Sequence, residues 1–384
     1  MARRSSFFVR FLLIGVLAHL YVGVRLIPDA ALALAPSLAA AVCLLASCVV
    51  IPQGMMRRTA GSQVGNDRIA WVGLMAMGLF SSLFVLTLVR DVMLLLAWAI
   101  QAFAPSLDMS GLRRGSALGV PALAVLASLV GLINARRRAP VVTVEVPIAG
   151  LPEVLHGFTI VQITDIHVGP TIKRGYVQAI VQAVNAERAD LVAITGDVVD
   201  GSVQALSEHV APLGQLRARH GVYMVTGNHE YYSGAQAWVG AFRQMGMHVL
   251  VNEHVAFSHQ GAVVVVAGVT DYNAASVLAE HASDPVAAMS GAPADAGLRL
   301  LLAHQPRSAI EAQHVGYDLQ ISGHTHGGQF FPWGFFVRMQ QPFTAGLHRL
   351  GSMWVYTSRG TGYWGPPKRL GAPSEITRVK IVRA

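Results

Sequence analysis

The chain has 384 residues, of which 53% are hydrophobic and only 13% charged, with a formal net charge of +8. That is too apolar for an ordinary soluble enzyme of this length. The first 138 residues carry 13 Lys and Arg against 4 Asp and Glu, and the remainder 16 against 17; the basic excess belongs to the first part and speaks against nucleic-acid binding by the second.

Four apolar stretches, residues 7–27, 30–51, 69–89 and 115–133, are long enough to cross a bilayer. Arg3 and Arg4 before the first run also suit a cleaved signal peptide, but three further spans and the lack of a small-residue cleavage site favour a retained helix. Basic residues precede the first span (Arg3, Arg4), separate the second from the third (Arg57, Arg58, Arg68) and follow the fourth (Arg136, Arg137, Arg138). The positive-inside rule then places both ends of a multi-span region, 1–138, on the cytoplasmic side of the cell (inner) membrane, and the domain that follows with them. Residues 92–104, after Arg90-Asp91, are apolar but short for a span. They read as a re-entrant or interfacial helix or as an extension of the third span, and if they crossed, the following domain would change sides. Arg113 and Arg114 fall on the external side of this scheme, while Arg10 and Arg25 near the ends of the first span are expected to snorkel. Cys43 and Cys48 lie in the second span and point about 140° apart on a helix, which disfavours a disulfide between them.

Ala139-Pro140 opens a second region, 139–384, in which apolar strands alternate with helical patterns. Strands are expected at 141–147, 159–164, 191–195, 221–226, 249–257, 262–269, 298–303, 318–322, 354–357 and 375–382, and helices at 176–187, 206–219 and 235–245. Residues 282–297, rich in Ala, Pro, Asp and Gly, read as a loop insertion. This alternation argues for an α/β fold with helices flanking the sheet structure.

Several of these strands end on a metal-ligating side chain. Residues 159–164 run into Asp165-Ile166-His167, 191–195 into Gly196-Asp197, and 221–226 into Gly227-Asn228-His229-Glu230. Residues 298–303 end at His304, and 318–322 at Gly323-His324-Thr325-His326. Residues two apart in extended backbone point the same way, so Asp165 with His167, and His324 with His326, are placed to share an ion. Any one of these pieces alone is ordinary turn chemistry. Five in order, each at the C-terminal end of an apolar strand where open α/β sheets place their ligands, fit a two-metal hydrolase.

The ordered set resembles the calcineurin-like metallophosphoesterase family, from about Val141 to the C-terminus. Its pattern of D-x-H, G-D, G-N-H-E/D, H and G-H-x-H is complete, and Gly323-His-Thr-His-Gly-Gly-Gln329 is similar to the bacterial membrane-associated branch with a GHTHGGQ motif. The resemblance implies a four-layer sandwich, two mixed β-sheets flanked by helices, preceded here by a bundle of about four transmembrane helices. It implies one metal held by Asp165, His167 and His326, a second held by Asn228, His304 and His324, and Asp197 between them. His229 would contact the scissile phosphate and protonate the leaving oxygen, with Glu230 and Asp200 both candidates to support its proton. The mixed nitrogen and oxygen donors suit Mn, Fe, Zn or Ni rather than all-oxygen Mg or Ca sites. Two such divalent ions would share a hydroxide and clamp phosphate oxygens for in-line displacement.

Two features lie outside the motif set. The aromatic run Phe330-Phe-Pro-Trp-Gly-Phe-Phe336 reads either as a loop packed over its own domain or as contact with a membrane or lipid substrate, the latter favoured by Tyr363-Trp364 and the basic Lys368-Arg369. Arg359 reads either as a substrate-phosphate ligand or as a surface salt bridge. The expectation is a membrane-anchored phosphodiesterase or pyrophosphatase acting on a phosphate-ester or pyrophosphate substrate. A lipid-linked substrate such as a UDP-diacylglucosamine-type lipid A precursor is its concrete version. The alternatives are a hydrolase of soluble nucleotides or phosphoproteins, and a non-catalytic membrane scaffold with a structural metal site.

Overall fold

The computed structural model describes residues 2–58 and 64–384; the side chains of Arg3, Arg4, Arg57 and Arg58, on which part of the charge pattern rests, lie outside the described residues. The chain divides into two compact units. One gathers Met1–Arg57, Gln63–Ile133 and Gly365–Lys368, and the other is chiefly Asn134–Trp364 with Arg369–Ala384.

The first unit consists of α1 (Ala2–Leu26), α2 (Leu34–Arg58), α3 (Val64–Gln101) and most of α4 (Met109–Arg136). Each helix contains a stretch apolar and long enough to cross a membrane, and each expected span falls on one of them. Residues 92–101 continue α3 as one helix of 38 residues, so the extension reading of that run is the one observed. At 1.5 Å per residue α3 is about 57 Å long, well beyond a hydrocarbon core of about 30 Å. Gly54 and Gly73 let α2 and α3 meet backbone to backbone: a Cβ on either would lie within 2.7 Å of the other's Cα.

Charged groups in this unit satisfy one another. Arg25 Nε and Nη2 donate to Asp91 at 2.8 and 3.0 Å, and Tyr21 donates to the same carboxylate at 2.6 Å. The buried Arg90 pairs with Asp29 and donates to Ser116 Oγ at 2.9 Å and to the carbonyls of Arg25 and Arg113. A buried guanidinium left without such acceptors would be strongly destabilising. Lys368, whose charge the sequence counted toward lipid contact, is buried, and its Nζ donates to Gly78 O at 2.9 Å and Ser128 Oγ at 3.1 Å.

The second unit is built on two six-stranded sheets. In the first, β1 (Val141–Ile148), β2 (Thr159–Ile163), β3 (Leu191–Thr195), β4 (Val222–Val225), β5 (His248–Val249) and β12 (Ile376–Arg383) take the order β1-β12-β2-β3-β4-β5. In the second, β6 (Glu253–His259), β7 (Ala262–Gly268), β8 (Leu298–Leu302), β9 (Leu319–Ser322), β10 (Gly346–Leu350) and β11 (Met353–Thr357) take the order β10-β11-β9-β8-β7-β6. Both sheets are mixed. β2 to β5 run parallel in one and β7, β8, β9 and β11 in the other, so within each sheet these strands end along a common edge.

Strand alternation makes the layers. Ile160, Leu191, Ala193 and Tyr223 of the first sheet pack inward against Val264, Leu300, Leu319 and Ile321 of the second. The opposite faces are covered by helices. Val161, Ile163, Val192 and Ile194 meet α5 (Arg174–Ala186), α6 (Val203–Val210) and, beyond the short α7 (Asn228–Ser233), α8 (Ala235–Gln244). Ala267, Leu301 and Val355 meet α9 (Pro285–Met289) and α10 (Ala309–Ala312). This is the expected four-layer α/β sandwich. Inside it, Gln162 Nε2 donates to Thr195 Oγ1 at 2.7 Å and to Ser322 O at 2.9 Å, tying the two sheets together just below the strand ends.

Some boundaries differ from expectation for local reasons. The helix expected to run to residue 219 stops at Val210, because Pro212 heads a 3-10 turn instead. The strand expected over 249–257 is split between β5 and β6, which belong to different sheets, with Asn252 at φ 53° in the turn between them. The loop 282–297 contains α9, capped by Asp284, whose side chain accepts from Val286 N and Ala287 N.

Candidate metal centre

Five strands deliver the candidate side chains. β2 leads to Asp165 and His167, β3 to Asp197, β4 to Asn228 and His229, β8 to His304, and β9 to His324 and His326. To turn inward at the strand ends, Asp165, His167, Asp197, His324 and His326 all adopt φ between 51° and 70°. Non-glycine residues rarely occupy this region, and a cluster of them stores strain that the surrounding sheet must hold. The glycines of the motifs answer a different need. A Cβ on Gly227 would collide with the Asp197 carboxylate, and one on Gly323 with Asp165 and Thr164.

Six of the seven expected ligands come together, with His229 beside them. Three overlapping groups have ligand atoms within 4.8 Å of one another: Asp165, His167 and His326; His167, Asp197 and His229; Asp197, His304 and His324. Asp197 Oδ2 is shared, lying 3.8 Å from His167 Nε2 and 3.1 Å from His304 Nε2. His326 Nε2 is 3.1 Å from His167 Nε2 and 3.4 Å from Asp165 Oδ1 on one side, and His324 Nδ1 is 3.2 Å from His304 Nε2 on the other.

Donor chemistry tests whether cations fit. Asn228 Oδ1 is buried and accepts no hydrogen bond, an orphaned acceptor of the kind a cation satisfies. His304 Nδ1 donates to Thr195 O at 2.7 Å and His167 Nδ1 to Asp200 Oδ1 at 3.1 Å, so the inward nitrogen of each ring is left for a ligand. Nitrogen and oxygen lone pairs facing one another at these distances around one shared carboxylate fit bound metal.

Charge supports the same conclusion. Burial would raise the Asp197 carboxyl, but the facing His304 and His229 hold it well below the usual carboxylate range. Burial would lower His304, yet the Asp197 carboxylate, by charge and hydrogen bond, holds it well above the usual imidazole range. Burial and then the repulsion of His304 push His324 down to about 3, and burial with Arg369 keeps His326 well below its ordinary value. His324 and His326 are therefore neutral donors at pH 7.

His229 borders the expected ligand set, within 4.8 Å of ligand atoms of His167 and Asp197. It lies on the first turn of α7, with its Nδ1 2.6 Å from Asp200 Oδ1, its Nε2 3.9 Å from Asp197 Oδ2, and its backbone N–H donating to Asp197 Oδ1 at 2.9 Å. Of the two acids expected to support it, Asp200 does so. Glu230 instead accepts backbone N–H bonds from Gly227, Asp197 and Val198 at 2.7 to 2.9 Å and clamps the loops together. Burial and the neighbouring Asp197 push its carboxyl up to about 7, against those donors.

The arginines are distributed differently from expectation. Arg359, the candidate phosphate ligand, places Nη1 2.8 Å from the buried Glu375 carboxylate. Arg369, whose charge the sequence also counted toward lipid contact, is buried and donates to His326 Nδ1 at 3.0 Å, His326 O at 2.9 Å and Arg359 O at 2.7 Å. Burial pushes it down to about 10, so it stays charged. Arg307, three residues after His304, was passed over in the sequence because nothing marks it there. Its guanidinium stacks 5.0 Å over Tyr272, and its Nε is buried without an acceptor.

A family model described as calcineurin-like phosphoesterase matches residues 158–328. A Bos taurus protein described as "Transmembrane protein with metallophosphoesterase domain" is 40% identical over 76% of this chain and 68% of its own length. The Danio rerio protein of the same description is 38% identical over 72% of this chain, and the match spans 64% of its length, just under two thirds. Among solved structures, a 5'-nucleotidase precursor from Thermus thermophilus is 15% identical with a TM-score of 0.39, over 59% of this chain and 54% of that one.

Proposed function

Because this chain belongs to the calcineurin-like phosphoesterase family and carries four membrane-length apolar helices, we propose that it is a membrane-anchored, two-metal phosphohydrolase, with a membrane region over 1–138 and the hydrolase domain over 139–384. Asp165, His167 and His326 would hold one ion, Asn228, His304 and His324 the other, and Asp197 both. When bound, such ions polarise phosphate oxygens and make a water molecule nucleophilic at neutral pH. The observation that carries this reading is Asp197 Oδ2 lying within reach of both histidine groups while Asn228 Oδ1 has no other partner.

The protein's own groups do the rest. His229, held by Asp200 through Nδ1, presents Nε2 at the rim of the cluster and donates a proton to the departing oxygen. Arg307, whose Nε has no acceptor and whose charge bears on His324, binds a non-reacting phosphate oxygen; Arg359 serves only if it leaves Glu375. The substrate is a phosphodiester or pyrophosphate at or near the bilayer, with a UDP-diacylglucosamine-type lipid A precursor as its concrete form. The domain faces the cytoplasm from the inner membrane, by the distribution of basic residues around the spans.

The test is metal content and turnover of an aryl phosphodiester measured on the same purified samples of wild type and Asp197→Asn. Loss of the shared charge is expected to weaken both ions and abolish turnover in a folded protein. Near-normal turnover with two bound ions in the variant removes Asp197 from its role. A wild type that binds metals but turns over no diester or pyrophosphate points to the scaffold instead.

A further inference from the structure

Residues 331–339 place five large apolar side chains in solvent: Phe331, Trp333, Phe335, Phe336 and Met339, from 41% exposed at Trp333 to 80% at Met339. Elsewhere in the same unit exposed large apolar residues such as Val154, Val286 and Ile310 occur singly along the sequence, which is normal for a protein surface. The short helix α11 (Gly334–Val337) within this segment buries no residue at all. The rings instead meet one another, Phe331 with Phe335 at 6.1 Å and Trp333 with Phe336 at 5.6 Å, so they form one knob rather than scattered contacts. The alternative in which this aromatic run packs over its own domain is met only by Phe330, which is buried.

Beneath the knob lies a groove of about 240 Å³, lined by Phe330, Phe331, Pro332, Phe335, Arg338 and Leu370. Its wall also includes Gly327, the residue after the candidate ligand His326. The charge on the knob has one sign: Arg338, exposed, is the charged residue of 331–339, and no carboxylate side chain occurs in the sequence between Asp318 and Glu375.

An apolar knob needs a cover, and the chain supplies the choice of one. The same chain carries four membrane-length helices, so lipid is the apolar phase it is built to meet. Aromatic and Met side chains with flanking Arg and no acid match the boundary between acyl chains and anionic headgroups. We propose that residues 331–339 are a lipid-contact surface that enters the headgroup region of a bilayer, with the groove at its base bordered by the loop that follows His326. The insertion stands without the reaction assigned above, and it is tested without turnover.

The experiment uses the full chain in nanodiscs of phosphatidylcholine with phosphatidylglycerol, carrying Cys43→Ser and Cys48→Ser so that one introduced thiol takes an environment-sensitive fluorophore. Phe335→Cys and Met339→Cys report the knob; both positions are exposed, so neither change opens a core. Glu280→Cys, on an exposed turn of the same unit, is the reference. Labels at 335 and 339 are expected to lose emission to a shallow spin-labelled phospholipid and to be shielded from iodide, while the label at 280 behaves in the opposite way. Equal behaviour of all three labels overturns the proposal. So does shielding from iodide without quenching by lipid, the result expected if a second copy or a soluble protein covers the knob.

Discussion

Asp200 Oδ1 lies 2.6 Å from His229 Nδ1 and 3.1 Å from His167 Nδ1, so one carboxylate oxygen orients both the proposed proton donor and a metal-binding ring. Both imidazoles then turn their Nε2 atoms toward Asp197, at 3.9 and 3.8 Å. Asp200→Asn keeps the shape and removes the charge. Turnover of a diester is expected to fall roughly 10–100-fold, the usual size of a loss behind a metal ligand. In a His229→Ala background the same change should cost much less, because part of what it removes is already gone. Fully multiplicative losses would mean that Asp200 acts on something other than His229.

His229→Ala separates proton donation from metal binding. The ring is not needed to complete either ligand set, so metal content should stay at the wild-type level while turnover drops by about 10²–10⁴-fold. Leaving groups that are already acidic need little protonation, and the loss should shrink for them. A uniform loss across a series of aryl diesters, or departure of an ion, would refute the assigned role.

The candidate ligands were legible because each follows a short apolar run that reads as a strand, and a strand end is a fixed address. What feeds those residues was less legible. Glu230 adjoins His229 in sequence whereas Asp200 lies 29 residues earlier, so spacing points to the wrong acid; His229 pairs with Asp200 because Glu230 is taken up by the N–H groups of Gly227, Asp197 and Val198. Arg369 is 43 residues from His326 in sequence, and only the folding of the last loop brings them to 3.0 Å. Its neighbour in rank, Arg359, drew attention through its glycine-rich surroundings and is paired with Glu375. In the membrane unit, the apolar run after Arg90-Asp91 is too short to stand alone, and helix continuity through a satisfied ion cluster makes it part of α3.

Metal uptake should release protons. Without ions, His304 is held well above the usual imidazole range by Asp197 and is charged at pH 7, yet it must give up its Nε2 proton to act as a ligand. Apparent metal affinity should therefore rise with pH until His304 deprotonates on its own, and level off above that point. His324, at about 3, and His326, also depressed, contribute no proton in this range. Calorimetric titration of chelator-treated protein in buffers of different ionisation enthalpy reads the release directly. Affinity that stays flat from pH 6 to 8 (a working range of about two units) would contradict the Asp197–His304 pairing.

Arg369 tests whether the two ions are independently supported. It donates to His326 Nδ1 and to the buried carbonyls of His326, Gly362 and Arg359, and touches none of Asn228, His304 or His324 by hydrogen bond. Arg369→Met fills similar space but leaves those acceptors bare, at about 1–3 kcal/mol for each one that water cannot reach. The melting temperature should fall, and the ion held by Asp165, His167 and His326 should weaken roughly 10–100-fold while the other is nearly unchanged. Arg369→Lys, which keeps the charge but not the planar fork, should recover part of the stability and little of the metal affinity. A metal titration that shows both ions weakened alike would mean that Arg369 supports the domain as a whole, and that His326 is held in place by the strained turn after β9 alone.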